Sequence, residues 1–272
     1  MIAPMYAILF PNLNPVALSF GPLEIRWYGI AYVVGILLGW AYSKHLVRRF
    51  SSTIQLKDID DFIVWATVGI VAGGRLGYAL FYKPWEYLAS PFKLLYLWQP
   101  GMSFHGGLLG MIIVVVWFCH RRKLPLLVFG DIIASSAPIG LFFGRIANFI
   151  NSELYGRMTD APWGIIFPNG GPYPRHPSQL YEAVLEGVVL FLLMYGIEHF
   201  TKRRQTNPGF LFAVFLIGYA VARIIVEMFR QPDNHLGYFM GGLTLGQILS
   251  IPIILGGLSL LYVSIVRQTN SK

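Results

Sequence analysis

Two clusters of polar side chains stand inside otherwise apolar runs. The first is Gly144 through Gly156, which reads GRIANFINSELYG and follows the apolar stretch Ile132 to Phe143. If that stretch continues as a helix, Arg145, Asn148 and Asn151 recur every three residues and share one face, with Glu153 just beyond its end. The second is Tyr219, Arg223, Glu227 and Arg230, spaced by four, four and three residues along a later apolar run, again one continuous helix face. Guanidinium groups grip phosphate oxygens bidentately, so Arg145 and Arg223 on neighbouring helices are candidates to hold an anionic, phosphate-bearing lipid. Two plainer readings stay open. Arg145 to Glu153 would then be a hydrogen-bond cluster that only ties helices together, and Arg223 and Glu227 a self-neutralising intrahelical pair.

A third candidate is His105, set between Ser103 and Gly106-Gly107. Imidazole takes and gives a proton near neutral pH, which suits a general base, although a histidine at a helix start is also a common structural hydrogen bonder. Arg75, between Gly73-Gly74 and Gly77, reads as a packing residue, and His176 beside Pro177 as a helix-end residue with Ser178 and Tyr181 near it. His45, His120, His199 and His235 carry no signal. Cys119 is the only cysteine, so no intrachain disulfide forms, and no CxxC, HExxH or acidic ligand spacing points to a metal. No metal and no organic cofactor is expected.

These residues need elements to position them, and composition says what kind. The chain has 272 residues, 55% hydrophobic and 12% charged, with a mean hydropathy of +0.57. Soluble domains average about 25% charged residues, so this is the composition of a membrane protein. The net charge of +8 is divided into short clusters between apolar runs, which argues for membrane insertion and against nucleic acid. A single integral-membrane domain, residues 1–272, is expected. Crossing a bilayer core takes about 20 apolar residues, and seven stretches qualify or nearly so: 22–43, 61–82, 104–120, 128–150, 178–198, 209–230 and 243–266. The expected class is an all-α membrane protein with seven transmembrane helices. The first 20 residues, broken by Pro4, Pro11 and Pro15, read as a retained interfacial lead-in.

Orientation follows from the basic residues. Lys44, Arg48, Arg49, Lys57, Arg121, Arg122, Lys123, Lys202, Arg203, Arg204, Arg267 and Lys272 fall in the odd loops and the tail, twelve against the five (Lys83, Lys93, Arg157, Arg175, Arg230) on the other side. The N-terminus is therefore expected outside and the C-terminus inside. On that topology Arg26 and Tyr28 begin the first helix, and the polar clusters and His105 all lie in the outer half, the side where Trp85, Trp98 and Trp163 suit interfacial anchoring. The loop at about 151–177, with Pro162, Pro168, Pro172, Pro174 and Pro177 among its residues, is long enough to be a structured, functional element.

The run GRIANFINSELYG resembles the signature of the bacterial prolipoprotein diacylglyceryl transferases. Arg26 to Gly29, Gly101 to Gly107, His176 to Glu182 and Tyr219 to Asp233 match further blocks of that family in order. The resemblance implies a multi-pass inner-membrane enzyme with its active site toward the periplasm and a small periplasmic head from about 151–177, flanked by arms from the N-terminal segment and the second loop. It implies transfer of the diacylglyceryl group of phosphatidylglycerol to the lipobox cysteine in a prolipoprotein signal peptide. A thioether forms and glycerol-1-phosphate leaves. It implies catalytic roles for His105, Arg145, Arg223 and Tyr219, and lipid contacts from Arg145, Arg223, Tyr28, Asn148, Asn151, Glu153, Gly156, Glu227 and Arg230. Two other classes remain as alternatives. An anionic-solute transporter would show inverted repeats and polar residues in both membrane halves. An intramembrane serine protease built on Gly101-Met102-Ser103 would need a histidine on a facing helix.

Overall fold

The long apolar runs fold as helices, the one open-ended form that satisfies its own backbone groups in lipid. The structure, a computed structural model, describes residues 7–269 except 12, 22, 97–100, 202–206, 233–238, 240 and 241. Pro4, Trp98, Lys202, Arg203, Arg204, Asp233, His235 and Lys272 lie outside the described residues. In chain order the elements are β1 (Ile8–Leu9), β2 (Val16–Phe20), β3 (Leu23–Arg26), α1 (Trp27–Phe50), α2 (Leu56–Phe81), α3 (Pro84–Ala89), a 3-10 turn (Pro91–Leu95), α4 (Phe104–Arg122), α5 (Leu126–Ile150), β4 (Ile165–Ile166), α6 (Ser178–Phe200), α7 (Phe210–Glu227) and α8 (Leu245–Thr269).

Among the described residues six helices, α1, α2, α5, α6, α7 and α8, are long and apolar enough to cross a membrane. The fold is that of an all-α membrane protein with short strands added. The seventh expected span, 104–120, coincides with α4, which has 19 residues. It is not among those six. The expected start of the first helix is corrected. β2 and β3 form an antiparallel hairpin that pairs Phe20 with Leu23 and Ser19 with Glu24, with Gly21 at φ +60° between them. Arg26 thus closes a strand, where it is exposed and pairs with Glu24 at 3.3 Å.

The chain divides into two compact units, Met1–Tyr42 with Asp131–Lys272, and Ser43–Gly130. In Ser43–Gly130, α2 and α4 approach through glycine. A Cβ at Gly77 would stand 2.8 Å from Gly106 Cα, and one at Gly110 3.1 Å from Gly73 Cα, the small-residue packing of membrane helices. Arg75 is buried there and donates to the carbonyls of Gly101 (3.0 Å), Lys93 (2.9 Å) and Tyr96 (3.0 Å). That is the packing role its glycine neighbours suggest. Ser103 caps α4, its Oγ accepting from Gly106 N–H at 3.2 Å.

In the other unit, α5, α6 and α7 share a core of Ala134, Leu190, Met194 and Leu211. Asp131 of α5, 1% exposed, accepts from the backbone N–H of Gly209 and of Phe212, both at 2.8 Å. The carboxylate of one helix thereby caps the N-terminus of another, where donors have no intrahelical partner. Asn207 and Ser264 exchange hydrogen bonds at 3.0 and 3.2 Å, tying the approach to α7 to α8. From Ala183 to Val189, α6 is π-helical, a form that often marks functional sites.

Candidate active site

The arginines foreseen on α5 and α7 meet, and they meet around carboxylates of α6. Arg145 donates from Nε (3.2 Å) and Nη2 (3.1 Å) to Glu186 Oε2, and its Nη1 lies 3.3 Å from Glu182 Oε2. Arg223 Nη1 donates to Glu182 Oε1, and its Nη2 is 2.5 Å from Glu227 Oε1 one turn on. Arg230 Nη1 donates to the same Glu182 Oε1 at 2.9 Å. Three guanidiniums and three carboxylates make a formally neutral network, the arrangement a low-dielectric interior tolerates. Glu182 and Glu186 sit one turn apart on the same stretch of α6, on and beside its π-helical segment, which turns both carboxylates to α5 and α7.

Access to the network is uneven. The Glu182 and Glu186 side chains are 0% exposed, whereas those of Arg145 and Arg223 are each 15% exposed. The carboxylates are thus wholly enclosed, whereas the two arginine side chains keep some access. A guanidinium carries five N–H donors. Arg145 spends two of its donors on Glu186, its contact with Glu182 Oε2 being an ion pair without a hydrogen bond among the described residues, and Arg223 meets Glu182 and Glu227 with one nitrogen each. Gly246 of α8 closes one wall, since a Cβ there would stand 2.5 Å from Glu227 Oε1.

The end of α5 is tied down separately. Asn148 Nδ2 donates to Glu153 Oε1 at 2.7 Å, and Gln179 Nε2 to the Glu153 carbonyl at 2.5 Å. Ser152 (φ +54°) and Leu154 (φ +56°) take the left-handed conformation rarely held by non-glycine residues, which turns the chain sharply into the 151–177 loop. Gly156 is there for closeness: a Cβ would stand 2.6 Å from His176 Cβ, His176 O and Phe229 O. Its N–H donates to His176 O at 2.8 Å, and Arg157 N–H to Phe229 O at 2.8 Å. Arg157 also caps the end of α7, from Nε to Arg230 O (3.0 Å) and from Nη2 to Glu227 O (3.2 Å). The 151–177 loop is thereby fastened to the helix that carries Arg223. The strand Ile8–Leu9 pairs in parallel with Ile165–Ile166 on the same loop. His176 bridges to the Tyr181 hydroxyl at 3.1 Å, and burial holds its imidazole below the usual histidine pKa.

Of the residues expected at the site, Arg145, Arg223, Glu227 and Arg230 belong to the network, and Asn148 and Glu153 bond to each other beside it. Asn151 Oδ1 is buried without a hydrogen-bond partner among the described residues. Tyr219, one turn before Arg223, stacks on Phe215 at 6.1 Å between centroids, and the Tyr28 hydroxyl pairs with that of Tyr32 at 3.1 Å. His105 belongs to Ser43–Gly130, exposed in the first turn of α4. Glu182 entered the sequence reading only as the last residue of a motif, and Glu186 not at all. The available signal was cost: a carboxylate in an apolar span needs a partner.

The prolipoprotein diacylglyceryl transferase family model matches residues 15–263. The chain belongs to that family. A phosphatidylglycerol–prolipoprotein diacylglyceryl transferase of Paramagnetospirillum magneticum is 54% identical over 257 residues, covering 94% of this chain and 95% of the relative. One of Rhodospirillum rubrum is 51% identical over 256 residues, 93% of each, and one of Nitrobacter winogradskyi 48% over 271, covering 97% and 92%. Every element that builds the arginine–glutamate network lies inside the span matched by the diacylglyceryl transferase family, from α5 through Gly246. Among the described residues no group of three or more His, Cys, Asp or Glu is placed to hold a metal ion.

Proposed function

We propose that the chain transfers the diacylglyceryl group of phosphatidylglycerol to the lipobox cysteine thiol of prolipoproteins, the first step of bacterial lipoprotein maturation. The observation that carries this reading is the pair of partly exposed arginines, Arg145 and Arg223, held by fully buried carboxylates in a chain of the diacylglyceryl transferase family. The thiolate sulfur attacks the glyceryl carbon that bears the phosphate ester. A C–S bond forms as the C–O bond breaks, and its electron pair leaves on the phosphate oxygen of glycerol-1-phosphate. The phosphodiester monoanion becomes a phosphomonoester dianion, so negative charge grows where the free N–H groups of Arg145 and Arg223 point. Fixed donors aimed at developing charge are among the largest contributions to catalysis. Glu182, Glu186 and Glu227 hold those guanidiniums in place. Asn148, Glu153, Tyr28, Tyr219 and Arg230 bound the lipid head and shape its seat, and His105 takes the thiol proton as general base on the chemistry of its imidazole.

The same reading makes the chain a single seven-span domain of the bacterial inner membrane, with α4 as third span, the N-terminus outside and the C-terminus inside. Residues 151–177 then form a periplasmic head. Incubating the purified protein with glycerol-labelled phosphatidylglycerol and a lipobox peptide tests the function. The expected result is labelled thioether peptide and free glycerol-1-phosphate without any ion gradient; absence of transfer by folded protein rejects it. Reporter fusions at Lys123 and Lys272 should report cytoplasm and one at Asn169 periplasm, and a cytoplasmic signal at Asn169 rejects the topology.

A further inference from the structure

The unit Ser43–Gly130 contains a cavity that the transfer reaction does not use. About 500 Å³ in volume, it is lined by Trp65 of α2 and by Trp117, Phe118, Arg121 and Arg122 of α4. That volume is within the range of ~300–1,000 Å³ typical of small-molecule sites. The indole rings of Trp65 and Trp117 meet edge to face, 4.9 Å between centroids, and both are exposed. The two cations differ. Arg122 pairs with Asp61 and, at 3.7 Å, with Asp58, whereas Arg121 has no ion-pair partner among the described residues.

What this cavity recognises follows from the helix it is built on. Leu109, Ile113, Trp117 and Arg121 recur every four residues, so they form one stripe of α4. All four are exposed. Read along the helix, the stripe is aliphatic, then aromatic, then cationic. A phospholipid has the same sequence of chemistries from acyl chain through glycerol ester to phosphate, and tryptophan and arginine occupy the corresponding depths at a membrane interface. A free phosphate ion would gain nothing from the indole walls or the aliphatic track. We propose that α2 and α4 form a binding seat for an anionic phospholipid. Its phosphate lies at Arg121, its glycerol backbone over Trp65 and Trp117, and an acyl chain along Ile113 and Leu109. On the topology proposed above the seat faces the cytoplasmic leaflet, at the end of α4 remote from His105. It serves as a bound lipid of the scaffold rather than a substrate.

The test is native mass spectrometry of the full-length protein in mild detergent, titrated separately with dioleoyl phosphatidic acid, dioleoyl phosphatidylcholine and inorganic phosphate. Phosphatidic acid lacks the glycerol headgroup of the proposed donor. The wild type should retain phosphatidic acid in preference to phosphatidylcholine. Arg121→Gln should weaken that retention about fivefold, the contribution of one basic residue at an anionic surface, and Arg121→Lys should restore most of it. Trp117→Ala should also weaken it, and if that variant fails to fold, the exposed Arg121 pair still decides. Lipid held elsewhere, the arginine–glutamate network included, is insensitive to Arg121. Transfer from phosphatidylglycerol by Arg121→Gln should be unchanged. Equal retention of the two lipids, or retention indifferent to Arg121→Gln, overturns the proposal. Inorganic phosphate binding as tightly as phosphatidic acid would make this an aqueous anion site and overturn it too.

Discussion

Glu182→Gln strikes the network at its most connected carboxylate. Oε1 accepts from both Arg223 and Arg230, and Oε2 faces Arg145 Nη1 at 3.3 Å. The exchange is nearly isosteric, so it opens no cavity and changes only charge and one hydrogen-bonding group. The glutamine carbonyl still accepts from Arg223 and Arg230, but its amide N–H groups then face the guanidinium of Arg145, donor against donor. Three guanidiniums confront two carboxylates, and a neutral cluster becomes singly positive around a side chain that is 0% exposed. Breaking a buried pair costs about 3–5 kcal/mol. Because Arg145 and Arg223 keep 15% exposure, the lower end, about 3 kcal/mol, is expected. Reversible unfolding in mild detergent, followed by tryptophan fluorescence, measures it. Arg230→Gln restores neutrality, so the double variant should lose less than the sum of the singles, by about 0.5–3 kcal/mol. A Glu182→Gln protein within about 0.5 kcal/mol of wild type, with an additive double variant, would show that the six groups do not act as one cluster.

Arg145→Lys and Arg223→Lys keep the charge but lose the planar fork that reaches two carboxylates at once; single-turnover assays should show most activity lost, mainly in kcat, whereas stable and active lysine variants would remove the arginines from the chemistry. His105→Gln should slow transfer by ~10²–10⁴-fold, and raising the pH should partly rescue it by forming the thiolate of a cysteine with an ordinary pKa of about 8.5; a pH-independent defect leaves His105 a positioning residue. Gly156→Ala places a methyl group against His176 and Phe229 at a cost of about 1–3 kcal/mol, so limited proteolysis should cut the 151–177 loop faster, and unchanged cutting refutes the close-approach account. Burial lowers the His176 pKa, so as pH falls through about 6.5 the unfolded chain binds a proton that the folded chain does not; stability is full above that pH and declines below it. His176→Asn should flatten the decline between pH 7 and 5, and an unchanged slope assigns it to other groups.

The helices were legible because spanning a membrane depends on length and hydropathy, properties a local window contains. Their ends were less so. α1 starts at Trp27 rather than at 22 because β2 and β3 pair with each other ahead of it, and a two-stranded hairpin of mixed polarity leaves no strong period. It runs on to Phe50 because a helix need not stop where the apolar stretch does. The face of α7 was legible as far as Glu227; the expected continuation of the helix to Arg230 is corrected, because α7 ends at Glu227 and Arg230 pairs its backbone with Gly156 instead. The self-neutralising pair foreseen for Arg223 and Glu227 does form, at 2.5 Å. That pair is one edge of a larger cluster, and its extent was hidden. Which helix adjoins which is not written in any local period, so neither the pairing of α6 with α5 and α7 nor the Asp131 cap on α7 could be read from spacing. Glu186, alone among Val184, Leu185, Gly187 and Val188, was visible only as a cost without a stated partner.

The carboxylates also change what the arginines can do. Bare guanidiniums on α5 and α7 would each cost roughly 2.5–3.5 kcal/mol at mid-span, and would bind any phosphate strongly, substrate and product alike. Held by Glu182, Glu186 and Glu227, they present a neutral cluster in which a phosphodiester monoanion meets guanidiniums whose charge the carboxylates already offset. Ground-state binding is thereby weakened. On the proposed reaction the leaving phosphate would gain a second charge during C–O cleavage and compete better for the remaining N–H groups of Arg145 and Arg223. An interaction that strengthens along the reaction coordinate raises kcat, whereas uniform binding does not. Because the carboxylates fix the guanidiniums before substrate arrives, little reorganisation accompanies that gain. On this reasoning Glu182 and Glu186 are positioning residues of the transfer step as well as counterions of the fold.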